Sequence, residues 1–200
     1  ASFVTVHPIN NEIIISTRFG NTAQFHKVSH PLGDRKQITF FDEPLSSGKY
    51  EPTNGDYLVY AKDVGGNEFG QLYKLDLKTL ESTLLTDGGR SQNSDVTWKK
   101  DGSGFYFSST KRNGGDRDIY YMDANNPKST KLILEVKGGG WGIGNLSSDG
   151  KKLLVEESIS ANESHLWMLD LETSKLSEVT NRADESIVQY KSKFTANPNE

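Results

Sequence analysis

One step length constrains this chain more than any other feature of it. Four segments, 24–29, 71–76, 118–123 and 165–170, align without gaps, each displaced from the last by 47 residues. Two apolar columns, Phe25/Leu72/Ile119/Leu166 and Val28/Leu75/Met122/Leu169, flank a column of rings, His26/Tyr73/Tyr120/Trp167. A repeat of this length means one supersecondary unit stacked on copies of itself, so the content of a single unit decides the fold.

Each unit reads as four short strands. Before the aligned segments lie runs rich in β-branched and aromatic residues at 13–17, 57–61, 105–109 and 153–157. Their turns, at Asn11, Asn54-Gly55, Asp101-Gly102 and Asp149-Gly150, carry the residues that accept positive φ in tight hairpins. Further strands are expected before those turns at 3–6, around Tyr50, at 95–98 and at 141–146, and after the aligned segments at 37–41, 82–86, 131–136 and 176–180. Windows near 75–85 and 169–176 look helical in composition, but Thr-Leu-Glu-Ser and Glu-Thr-Ser-Lys interrupt them and fit hairpins better. No segment holds a helical apolar period over helical length. Asp76, Asp123 and Asp170 recur at one repeat position, which suits a structural role at strand ends.

The expected fold is therefore all-β: a β-propeller of four four-stranded antiparallel blades, about 1–46, 47–93, 94–140 and 141–186, with the start of a fifth at 187–200. An innermost strand at 188–194 and a turn at 197–199 would open that fifth copy, which points to part of a larger ring. An open arc would leave apolar end faces, so self-association of two arcs is a further expectation.

Charge and composition narrow the partners. Net charge is −4 with basic residues scattered, which gives no footprint for a nucleic-acid backbone or an anionic membrane. The absence of cysteine removes disulfides, thiolate metal sites and a cysteine nucleophile. The chain carries no long apolar run, and a soluble protein of bacterial cytoplasm or periplasm is expected, with the compartment unassigned.

Site motifs are sparse. His26 and His30 are four apart, roughly 13 Å along a strand, too far to share an ion. His7 and His165 have no neighbours at ligand spacing, and neither metal nor cofactor is expected. The glycine-rich stretches 63–68 and 138–144 lack the endings of nucleotide loops and read as turns between strands and blades. Asp116, Asp118 and Asp123 lack calcium-loop spacing, and Asn145 and Asn162 lie in glycosylation sequons too common to weigh.

The stretch 108–123, Ser-Ser-Thr-Lys-Arg-Asn-Gly-Gly-Asp-Arg-Asp-Ile-Tyr-Tyr-Met-Asp, resembles the TolB-type blade motif. Segments 16–24, 37–41, 62–69, 138–141 and 153–157 are together similar to propellers of the prolyl oligopeptidase family, in its acylaminoacyl-peptidase and dipeptidyl-aminopeptidase-like branches. That resemblance implies a propeller of about seven blades capping an α/β-hydrolase domain and limiting access to peptide substrates. It also implies catalysis by a serine triad on that other domain. No Gly-x-Ser-x-Gly elbow occurs in this sequence, and Gly102-Ser103-Gly104 lacks the spacing, so the chain should be inactive alone. Some relatives hold a substrate's ammonium with paired propeller glutamates, which makes Glu156 and Glu157 the candidates here, although the surrounding sequence does not match that motif. Adjacent strand residues point to opposite faces, so one of the two at most meets a given ligand. The alternatives are a TolB-like propeller that binds a protein partner, and a propeller lyase, whose axial metal histidines are poorly matched here.

Overall fold

The computed structural model describes residues 1–180 together with Tyr190 and Phe194; the rest of the expected fifth copy lies outside the described residues. Among the described residues the chain forms four sheets of four strands. The first holds β1 (Ser2–Val6), β2 (Ile13–Thr17), β3 (Gln24–Val28) and β4 (Lys36–Gln37); the second β5 (Gly48–Tyr50), β6 (Tyr57–Lys62), β7 (Gln71–Asp76) and β8 (Ser82–Leu84). The third holds β9 (Asn93–Trp98), β10 (Phe105–Ser109), β11 (Asp118–Asp123) and β12 (Asn126–Leu134); the fourth β13 (Trp141–Leu146), β14 (Lys152–Ser160), β15 (Glu163–Asp170) and β16 (Leu176–Glu178). Strands follow one another antiparallel within each sheet, in chain order.

The ring column falls at one place in all four. Each member sits on the third strand, opposite a residue of the second and one of the fourth: Ile15/His26/Gln37, Tyr60/Tyr73/Leu84, Phe107/Tyr120/Leu132 and Val155/Trp167/Glu178. The 47-residue step is thus a step from sheet to equivalent sheet.

Alternate residues of one strand serve two different cores, which is why the strands are apolar on both faces. On β6, Leu58 and Tyr60 join Ile14, Phe25 and Leu75 between the first and second sheets, while Tyr57 and Val59 join Phe105, Phe107 and Met122 between the second and third. On β10, Tyr106 turns the other way and meets Ile119, Leu153, Val155 and Leu169. No helix among the described residues is long and apolar enough to cross a membrane.

The turns follow the chemistry of their residues. Gly55, Gly102 and Gly150 have φ of 73°, 68° and 73°, the left-handed region that glycine enters without cost. At the turns between third and fourth strands, Asp76 accepts from the N–H groups of Lys78 and Thr79, Asp123 from that of Asn125, and Asp170 from those of Glu172 and Thr173. These are Asx turns, which end one strand and start the next.

Fourth strands differ most from expectation. The ladder at 37–41 shrinks to β4, because side chains replace its later bonds: Thr39 Oγ1 accepts the Phe25 N–H at 2.8 Å and Gln24 Oε1 that of Phe41 at 3.0 Å. The same device recurs where Thr86 Oγ1 accepts the Leu72 N–H at 3.0 Å. β12 instead begins earlier than expected, at Asn126, and admits Pro127 because an outer edge strand needs no donor there. β14 and β15 run longer than their counterparts.

Candidate functional site

The first strands of the four sheets converge. β1 lies beside β5, and β9 beside both β6 and β13. Between them runs a groove of about 430 Å³ lined from every sheet, by Phe3 and Val4, Lys49, Asp95 and Val96, and Ile143. A neighbouring cleft of about 410 Å³ is lined by Asp95, Arg117, Gly140, Gly142 and Glu156. Asp95 belongs to both.

Asp95 is placed there by a bulge. The pairing of β9 with β10 shifts between Tyr106 and Ser108, so β9 holds more residues than its partner over that stretch, and Asp95 takes a φ of 60°. That conformation is uncommon outside glycine, though aspartate tolerates it better than most. Two hydroxyls fix the carboxylate: Ser108 Oγ donates to Oδ2 at 2.6 Å and Ser94 Oγ at 3.2 Å. Arg117 closes the network, donating to Ser94 Oγ at 3.1 Å, Gln92 Oε1 at 2.7 Å and the Gly139 carbonyl at 3.3 Å.

β13 is built to admit these carboxylates. A Cβ on Gly142 would lie 3.2 Å from Asp95 Oδ2, and one on Gly144 would lie 3.0 Å from Glu156 Oε1. Just before the strand, a Cβ on Gly140 would collide with the Ser158 carbonyl oxygen, where backbone meets backbone and neither can yield. Glycine is required there by close approach.

Lys49 enters the groove from β5, opposite Val59 across the ladder. Lys49 is exposed, yet desolvation by the surrounding strands pulls its pKa below the ordinary lysine value, while the negative charge of Asp95 works the other way. Among the described residues Lys49 donates no hydrogen bond and forms no ion pair, in contrast to Lys27 on Glu12, Lys62 on Glu43 and Lys99 on Asp101.

The glutamates singled out in the sequence are separated by the pleat. Glu156 lies opposite Gly142 and Leu166 and lines the cleft. Glu157 lies opposite Trp141 and His165, and its Oε2 accepts the Trp167 indole N–H at 3.0 Å. His26 is 1% exposed, in the ring column, with Phe19 edge-on to it at 5.1 Å. Its Nδ1 lies 3.0 Å from the Gln24 carbonyl, while Nε2 has no partner among the described residues. Asp118, the first residue of β11, is fully buried and gripped by Arg112 through Nε at 2.7 Å and Nη2 at 3.1 Å, so it is a structural latch.

Lys49 and Asp95 are the groove residues that sequence reading missed. The step between ring columns located the third strands, but nothing in the pattern announces a bulge at Asp95 or a first strand as short as β5.

A family model described as the prolyl oligopeptidase N-terminal β-propeller domain matches residues 45–199. Among solved structures, TolB from Acinetobacter baumannii is 24% identical, with a TM-score of 0.67 over 90% of this chain and 43% of its own. A structure from a study of two prolyl endopeptidases is 17% identical, with a TM-score of 0.68 over 90% of this chain and 29% of its own. An oligogalacturonate lyase in complex with manganese is 15% identical, with a TM-score of 0.65 over 78% of this chain and 42% of its own. These likenesses establish the fold, and the chain spans less than half of each of these structures. No curated protein sequence matches.

Proposed function

Because this chain belongs to the family of prolyl oligopeptidase N-terminal β-propeller domains, we propose that it is the non-catalytic propeller portion of a serine peptidase, gating peptide access to an α/β-hydrolase domain of the same parent chain and scaffolding it. The observation that carries this is the family match over residues 45–199, which include three of the four first strands lining the groove. The triad would come from the hydrolase domain, since no Gly-x-Ser-x-Gly occurs in these 200 residues. The test is the parent gene and its product. A Gly-x-Ser-x-Gly elbow in an α/β pattern and serine-dependent peptide hydrolysis are expected. A parent that ends as a ring of blades with no such domain would overturn the reading and favour a TolB-like interaction module.

Within that reading, Glu156 offers a carboxylate at the cleft to the ammonium end of a peptide, beside Asp95. In the parent enzyme, Glu156→Gln is expected to raise KM for substrates with a free amino end by about tenfold, with kcat little changed. Glu157→Gln should act less on KM, since its carboxylate is engaged by Trp167. Steady-state kinetics with free and N-acetylated peptides checks this, and equal effects on both substrates would refute the role.

The apolar side chains exposed on the loops of the first sheet, Ile9, Phe19 and Phe40, support a further proposal, that two copies of this chain self-associate through their end sheets. Light scattering at high concentration should then show species heavier than a monomer; a strict monomer would count against it.

A further inference from the structure

We propose that Lys49 binds the carboxylate of a short peptide lying in the axial groove, with Asp95 receiving one of the peptide's own N–H donors. The inference rests on reading the groove as a peptide path, and adds to it a residue and a chemical class of ligand.

Three observations support it. Lys49 stands in a groove of about 430 Å³ and, among the described residues, has neither an acceptor nor a counter-ion within bonding distance. Its side chain is exposed on β5, so an arriving anion can reach the ammonium without displacing any protein group. The groove also pairs this cation with an anion whose position is fixed, since Ser108 and Ser94 both donate to Asp95 Oδ2.

That pairing selects among anions. A phosphate dianion attracted by Lys49 would meet the charge of Asp95 and be repelled. A peptide terminus brings one negative charge and N–H donors with it, so both groups are satisfied by the same ligand. Phe3, Val96 and Ile143 supply apolar wall between the polar groups, as suits a peptide's small side chains.

Calorimetric titration of this chain at low salt, with tri-alanine and its C-terminal amide as probes, tests the proposal. The free acid is expected to bind at least about tenfold tighter than the amide, the usual worth of one charge-assisted hydrogen bond. Lys49→Gln should abolish that difference, Lys49→Arg should keep it, and Asp95→Asn should weaken both peptides while preserving the preference for the acid. Equal affinity of acid and amide for the unaltered chain would overturn the inference, as would binding of neither peptide, a preference that survives Lys49→Gln, or displacement of the acid by inorganic phosphate at matched ionic strength. Should Lys49→Gln fail to fold, the acid and amide comparison on the unaltered chain still decides. A negative result leaves the peptidase reading standing, because that is tested on the parent's hydrolase domain.

Discussion

Replacing Phe107 with alanine should remove about 3–5 kcal/mol of stability, the usual toll for truncating a fully buried phenylalanine. Phe107 is 0% exposed on β10, the second strand of the third sheet, and its ring meets those of Phe105 at 5.8 Å and Tyr120 at 5.7 Å. It also closes the core shared with Val59 and Leu72 of the second sheet, so the cavity would open at a junction between sheets. Neighbour-to-neighbour contacts are what hold stacked repeats together, and a fault there cannot be absorbed by the rest of the array. Against a total stability of about 5–15 kcal/mol the loss is a large fraction, and the thermal midpoint should drop by roughly 10 °C or more. Urea and thermal unfolding followed by tryptophan fluorescence measures it. A change under about 1 kcal/mol would mean that the second and third sheets do not share this core.

Acid should unfold the chain through its turns. Asp76 is held below the ordinary aspartate range by the N–H groups of Thr79 and Lys78, Asp170 by the N–H and hydroxyl of Thr173, Asp149 by the Ser147 hydroxyl and the Lys151 N–H, and Asp116 by the Gly138 N–H and the Asn113 amide. Asp101 is pushed down to about 2, chiefly by the hydroxyl and N–H of Ser103. Glu43 is lowered by the Gly65 N–H and by Lys62. At Glu51 burial pulls upward, but bonds from Thr53, Asn54 and Gly55 outweigh it and the net shift is downward. A depressed carboxylate stabilises the fold above its unfolded pKa and gives that up as pH falls through the folded one. The urea midpoint should therefore be nearly level above about pH 5 and decline steadily from about 4.5 towards 2. A midpoint that stays level down to pH 2 would contradict this assignment of the turn carboxylates.

Much of the architecture was legible because the repeat is strong where both faces of a strand are covered. Second and third strands carry alternating apolar residues for two cores, so 13–17, 105–109 and the aligned segments could be placed closely. Asn-Gly and Asp-Gly marked the hairpin tips because positive φ is a demand of the backbone itself. Outer strands were harder, since Thr39 and Gln24 can stand in for ladder partners and no apolar pattern records it. The groove was the least legible part. Its content depends on where first strands from sheets far apart in sequence approach, and on a bulge that turns Asp95 out of the ladder. Glu156 could be named from its neighbours in sequence, whereas its place against Gly144 could not.

Absence of cysteine in the native sequence allows spin labels to be installed in pairs without background, which gives a direct measurement of radial stacking. Lys49 and Asn145 lie on the first strands of the second and fourth sheets, and Thr83 and Ser177 on the fourth strands of the same two. If the sheets fan out about an axis, electron spin echo distances between labels at 49 and 145 should be much shorter than those between labels at 83 and 177. Equal separations, or a shorter span between the outer pair, would contradict that arrangement.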